Sequence, residues 1–124
     1  MILININGKG VKLMSDCIFC KIIDGAIPAN KVYEDDQFIA FHDIHPKAKV
    51  HVLVIPKKHI PTFMDIQEED IELMGRLNLV IQKVAEKLEI DQTGFRVVNN
   101  CRENGGQEVY HIHYHVLGGE KLPL

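Results

Sequence analysis

Near its end the chain reads GGQEVYHIHYHVLGG, residues 105–119, in which His111, His113 and His115 alternate with Ile112, Tyr114 and Val116. An alternation of period two fits a β-strand, because successive side chains point to opposite faces. The three imidazoles therefore share one face and the apolar residues share the other. Along a straight strand neighbouring rings stand roughly 6.5 Å apart, and the outer two about 13 Å apart. That spacing allows three readings: a metal cluster, a nucleophile with helpers, or hydrogen-bonded structural histidines.

Composition narrows the setting. A chain of 124 residues with 46% hydrophobic residues can bury one core. Its 14 basic and 17 acidic residues give a net charge of −3, so a general grip on nucleic acid or on an anionic membrane is not expected. No apolar run approaches the length that spans a bilayer. Three cysteines, an odd count, argue against a secreted disulfide framework and for a reducing, cytoplasmic setting.

The opening MILININGKGVKL lacks the charged start and long apolar stretch of a signal peptide. Lys9-Gly10-Val11 can be encoded by a purine-rich ribosome-binding sequence just upstream of the Met14 codon. Translation is accordingly expected to begin at Met14, with residues 1–13 a non-native or disordered extension and residues 14–124 a single domain.

Periodicity predicts the elements. A short helical turn over Ser15 to Asp24 is closed by Gly25 and Pro28. KVYE and QFIAFHDI form a hairpin about Asp35-Asp36, and KVHVLVIPK is a third strand ended by Pro56. A long helix is predicted from an N-cap at Asp65, with Glu68 three positions on, to about Leu88. Its apolar positions Ile71, Met74, Leu77, Ile81, Val84 and Leu88 fall at helical spacing, and Leu73, Leu79 and Val80 widen the stripe. A helix that broad often packs against both a sheet and a partner subunit. FRVVNN (residues 95–100) and VYHIHYHVLG (residues 109–118) complete about five strands. The expected fold class is α+β, a mostly antiparallel five-stranded sheet with one long helix and a short N-terminal helix.

The histidines can now be weighed. Three buried structural histidines on one face would each need a partner to avoid the cost of an unpaired polar group. A catalytic metal held by all three would require the outer rings to converge, which a straight strand forbids. The nucleophile reading draws on the neighbours as well. His113 would attack phosphorus with one ring nitrogen while the other keeps its proton through a hydrogen bond. At neutral pH an unperturbed imidazole is mostly uncharged and needs no strong base. The preceding Asn104-Gly105-Gly106-Gln107-Glu108 offers glycines for close backbone approach and an amide side chain that can donate to phosphate oxygen. Phosphoryl or nucleotidyl transfer through a covalent histidine is the economical proposal.

From Cys17 through Gly119 the chain resembles the histidine triad family. The motifs CIFCKI, IPA, FHDI, HVLVIPKKHI, FRVVNN and GGQEVYHIHYHVLGG are similar to its Hint branch, the purine nucleoside phosphoramidases. The resemblance implies an α+β homodimer with the long helix at the subunit interface. It also implies hydrolysis of purine nucleoside 5′-phosphoramidates to a nucleoside monophosphate and an amine, and hydrolysis of aminoacyl adenylates, with no cofactor for catalysis. By the same resemblance His113 is the nucleophile, His115 contacts a phosphate oxygen, and His51 orients and polarises the nucleophile. His111 is the outer, structural ring of the triad. Asn99 and the backbone of Gly106, Gln107 and Glu108 would hold the phosphate. Asp43 would bind the ribose hydroxyls, as a carboxylate with two acceptor oxygens can. Ile18, Phe19, Ile22, Phe41 and Ile44 would sandwich the base, and His42 belongs to the same nucleotide-binding stretch.

Two positions depart from the family. Eukaryotic members carry serine where this chain has Glu108, and a carboxylate there should repel phosphate unless protonated or turned away; its backbone amide is the better candidate. His45 stands where serine is common and reads as a surface variation near the ribose loop.

Some bacterial members bind a structural zinc, and the corresponding positions are Cys17, Cys20, His59 and His111, a Cys2His2 set suited to tetrahedral coordination. Cys101 lies outside the set. Competing functions on the same fold are a dinucleoside polyphosphate hydrolase, which leaves with a nucleotide, and a nucleotide-binding regulatory protein whose catalysis is residual.

Overall fold

A computed structural model describes residues 16–124; the expectation for residues 1–13 lies outside the described residues. Five strands form one antiparallel sheet. They are β1 (Lys31–Glu34), β2 (Phe38–His42), β3 (Val50–Pro56), β4 (Phe95–Val98) and β5 (Tyr114–Gly118), in the order β1-β2-β3-β5-β4. Helix α1 (Ile18–Ile23) and the long helix α2 (Ile71–Lys87) complete the architecture.

The central strands read as continuous apolar runs because both faces of the sheet are covered. On one face Phe38, Ala40, Val52, Val54 and Val116 meet Leu77, Val80, Ile81, Val84 and Ala85 of α2. On the other, Ile39, Phe41, Leu53 and Ile55 meet Phe19 and Ile22 of α1. Each fully buried aliphatic side chain contributes about 1.5–3 kcal/mol to this core. The functional residues lie on the α1 side.

Two expectations are corrected. Helix α2 does not start from an Asp65 cap. Two single 3-10 turns, Phe63–Asp65 and Glu68–Asp70, come first, separated by extended backbone at Ile66 and Gln67. Asp65 accepts a hydrogen bond from the Thr62 hydroxyl (2.6 Å). Buried Asp70 stands at the N-cap position of the long helix instead, and its carboxylate closes the capping box of the preceding turn by accepting the Gln67 N–H (2.9 Å) while pairing with Lys58. Acid at Asp70 satisfies both a backbone donor and a cation, and Asp65 has only the local turn to serve. Ile71, expected in the apolar stripe, is 67% exposed, and Leu79 is 53% exposed.

The second correction concerns the histidine strand. Pairing in β5 begins only at Tyr114, with Val54↔Tyr114 and Val98↔His115 as its first partners. His111, Ile112 and His113 precede the ladder. The chain bends through Val109–His111, so the outer histidine turns away from the other two.

The loop before the triad holds two backbone positions that favour glycine, and only one of them, Gly106, is glycine. Arg102 has φ 63° and ψ −172°, a conformation costing a side-chain-bearing residue roughly 1–3 kcal/mol. Replacing Arg102 by glycine is expected to stabilise the fold by about 1 kcal/mol in urea denaturation, and a lower midpoint would contradict that.

Candidate active site

Antiparallel pairing of β3 and β5 puts Leu53 opposite His115 and His51 opposite Leu117. On the shared face His51 then reaches diagonally to its neighbour, placing Nε2 2.8 Å from His115 Nδ1. Hydrogen-bond partners fix the tautomer of each ring. The backbone N–H of Lys47 donates to His51 Nδ1 (3.0 Å), so the His51 proton sits on Nε2 and is donated to His115 Nδ1. His115 is left with its own proton on Nε2. His113 donates from Nδ1 to the carbonyl oxygen of His111 (2.8 Å), which leaves its Nε2 with an open lone pair. The rings of His113 and His115 are 5.1 Å apart, centre to centre.

The electrostatics favour uncharged rings. Burial pushes His113 below the ordinary imidazole range, against the pull of the His111 carbonyl and of the Asp43 and Glu108 carboxylates. Burial also lowers His51, opposed by Asp43. His115 falls to about 4 through burial and the neighbouring His113 and His51 rings. Neutral His113 is nucleophilic at physiological pH without a general base.

These rings open onto a cavity of about 480 Å³, a size suited to a small organic ligand. Its wall includes Ile18, Phe19, Ile22, Phe41, His42, Asp43, Ile44, Glu108, His113 and His115. Phe19 meets Phe41 edge-on at 5.5 Å and His113 at 5.1 Å, so α1 forms both the apolar wall and a support for the His113 ring. Asp43 Oδ1 accepts the backbone N–H of His45 (2.8 Å), and Oδ2 lies 3.5 Å from His51 Nε2. Ile44 is 85% exposed at the rim, where His45 also stands.

The sequence reading missed Ile27, Pro28, Ala29, Asn30, Leu53 and Val109 in this wall. Leu53 had a signal, since it follows His51 at period two; the others come together only through tertiary packing.

The glycine-rich loop is used differently from expectation. Gln107 is buried, and its Nε2 donates to the carbonyls of Pro61 (2.8 Å) and Val109 (3.0 Å) while Oε1 accepts the Arg102 N–H (2.8 Å). Its own N–H donates to Arg102, and that of Gly106 to Glu103. These donors stitch the loop together, and Glu108 is the residue of this loop that reaches the cavity. Asn99 donates from Nδ2 to the His113 carbonyl (3.0 Å), bracing His113 from β4's end.

A second cluster lies beside the first. Cys17, Cys20, His59 and His111 each bring one donor atom within 4.8 Å of the others. His111 Nε2 donates to the Pro56 carbonyl (2.7 Å), so Nδ1 carries a lone pair toward the cluster. There it meets Cys17 Sγ and Cys20 Sγ at 3.5 Å and His59 Nδ1 at 3.2 Å. Donors around a tetrahedral zinc are separated by about 3.3–3.8 Å, from Zn–N and Zn–S bond lengths; the set fits. Burial, with Cys17 nearby, pushes the Cys20 thiol up to about 12, so a metal must displace its proton.

Comparison with known proteins agrees with this geometry. Residues 24–122 match the HIT domain family. The chain is 46% identical over 110 residues to the purine nucleoside phosphoramidase of Escherichia coli, covering 89% of this chain and 92% of that protein. Among solved structures it is similar to a histidine triad protein from Clostridium difficile, with TM-score 0.87 and 52% identity over 92% of this chain and 98% of the other. It is also similar to a HIT family hydrolase from Legionella pneumophila, with TM-score 0.84 and 47% identity over 86% and 96% of the two chains. The five-stranded antiparallel sheet, the paired rings on β3 and β5 and these matches establish that the chain belongs to the histidine triad (HIT) family.

Proposed function

We propose that this protein is a hydrolase of purine nucleoside 5′-phosphoramidates and of aminoacyl adenylates. The observation that carries the reading is the tautomer of His113, whose Nδ1–H is held by the His111 carbonyl, leaving Nε2 with an open lone pair on a ring that lines the cavity. The similarity to a relative bearing the name purine nucleoside phosphoramidase supports it.

The nucleoside enters the apolar end of the cavity, with the base between α1 and Phe41 and the ribose hydroxyls at Asp43. His113 Nε2 attacks phosphorus. The Nε2–P bond forms as the bond to the leaving group breaks: in a phosphoramidate the departing nitrogen takes a proton from solvent and leaves as an amine, and in an aminoacyl adenylate the P–O bond breaks and the amino-acid carboxylate leaves. His115, with its proton on Nε2, donates to a phosphate oxygen as negative charge builds there. His51 keeps that tautomer in place. Water then attacks the nucleotidyl-histidine, restoring His113 and releasing the nucleoside monophosphate; one water is consumed overall.

Cys17, Cys20, His59 and His111 would hold zinc. When bound, it supplies a structural cross-link between α1, the turn after β3 and the segment before β5. The protein works as a homodimer in a reducing compartment. Exposed Leu79 and Ile71 on α2, and Val97 on the edge strand β4, supply apolar surface for a second copy. Leu79→Glu is expected to shift sedimentation from dimer to monomer, and an unchanged dimer would place the interface elsewhere. Among the described residues no helix is long and apolar enough to cross a membrane.

The test of function is a steady-state comparison of adenosine 5′-phosphoramidate with diadenosine polyphosphates. The expected result is a kcat/KM at least about a hundredfold higher for the phosphoramidate, a difference of about 2.7 kcal/mol in transition-state stabilisation. Preference for the polyphosphate would replace the reading with the dinucleoside polyphosphate hydrolase, and binding of AMP without turnover would favour a regulatory protein.

A further inference from the structure

The nucleophile lies just outside the sheet. Pairing of β5 starts at Tyr114, so the ladder does not hold His113, and its placement must come from other contacts. Three of them pass through His111 and its neighbour. The His111 carbonyl accepts the His113 Nδ1–H (2.8 Å). The next N–H, of Ile112, donates to the Ile60 carbonyl (2.6 Å), one residue after His59. The His111 ring is 0% exposed, anchored at Nε2 by the Pro56 carbonyl and turned with Nδ1 into the cysteine cluster. One residue thus presents its side chain to the cluster and its backbone to the nucleophile.

We propose that the Cys17/Cys20/His59/His111 cluster is the positioning element of the nucleophile. A divalent metal there holds the His111 ring, and the His111 carbonyl transmits that hold to the Nδ1–H of His113. His111 is a positioning residue, and the inference rests on His113 being the nucleophile.

The alternative is a cluster that only fastens α1 to the sheet. In that case loss of the metal lowers stability and can shift the His113 ring through Phe19, but leaves its Nδ1–H tautomer unchanged. Geometry favours coupling, because the atom that fixes the tautomer belongs to a ligand residue. A shift of the His111 backbone breaks a single hydrogen bond, and His113 Nδ1 has no second acceptor among the hydrogen bonds of the described residues. With that bond lost the proton can move to Nε2, and the lone pair then points away from phosphorus.

The test uses the full-length chain, labelled with ¹⁵N, stripped of metal by a chelator and reloaded with one equivalent of zinc. Long-range ¹⁵N–¹H spectra of the histidine rings report tautomers directly. With zinc, His113 is expected in the Nδ1–H form alone. Without it, the His113 signals should move toward a mixture of both forms, and kcat for adenosine phosphoramidate should fall by about tenfold to a hundredfold, the usual range for loss of a contact supporting a site.

Where the stripped chain loses its fold, Cys17→Ser supplies a weakened cluster in a folded protein, with the same expected change at His113. His59→Cys, which keeps four donors, should restore the zinc-loaded His113 signature. An identical His113 signature with and without zinc, while the His111 resonances report binding, would overturn the proposal. So would failure of zinc to bind at all. A zinc-dependent His113 signature in a chain that hydrolyses no phosphoramidate would refute the proposed function and leave the coupling standing.

Discussion

Replacing His113 by alanine is expected to reduce turnover of adenosine phosphoramidate by on the order of 10⁴-fold or more, because a covalent nucleophile has no substitute in the cavity. His115 cannot take over. Its Nδ1 is occupied by His51, and the proton on its Nε2 leaves that nitrogen without a lone pair for attack. His51 is occupied at both nitrogens, by the Lys47 N–H and by His115. AMP binding should survive the substitution, since Phe19, Phe41 and Asp43 are untouched. Single-turnover trapping should detect a phosphorus–histidine adduct in the parent chain and none in the variant. Retained turnover in the variant would overturn the mechanism.

The second large effect is on stability. Replacing both Cys17 and Cys20 by serine is expected to abolish zinc binding, measured by metal analysis of untagged protein from zinc-supplemented growth. A metal at a thousand times its Kd stabilises the folded state by about 4 kcal/mol. For a chain of this size that corresponds to a fall in Tm on the order of 10–20 °C. The effect should be largest around α1, whose Cys20 and Phe19 are buried on opposite duties, one toward the cluster and the other toward the base-binding wall. A parent protein with near-zero zinc would refute the structural-metal proposal.

The two predictions separate the clusters that share the triad. His113→Ala removes chemistry and leaves the cross-link intact. The double serine variant removes the cross-link and leaves the nucleophile in the chain.

Much of the fold was legible in the sequence. The hairpin about Asp35-Asp36, the third strand and the long helix all appeared where period and turn chemistry put them, because apolar patterning records which face is buried. The start of α2 was not. Asp65 and Asp70 are both acids before an apolar run, and choosing between them depends on Lys58 and Gln67, one of which is distant in sequence. Gln107 was misread for the same kind of reason. An amide next to two glycines suits a phosphate, yet its donors are used by the carbonyls of Pro61 and Val109.

The histidines mark the division most clearly. By itself the sequence determined that three imidazoles alternate with apolar residues, that they cannot converge on one metal from a straight strand, and that a phosphate-directed nucleophile was the economical use for them. It could not say that the segment leaves the ladder before Tyr114, or that His111 turns toward two cysteines some ninety residues earlier in the chain. Nor could it assign the proton on any ring. Those properties depend on which carbonyl or N–H stands within hydrogen-bond distance of each nitrogen. The carbonyls of Pro56 and His111 and the N–H of Lys47 are backbone groups that every residue type carries, so only the folded chain decides which of them a ring will meet.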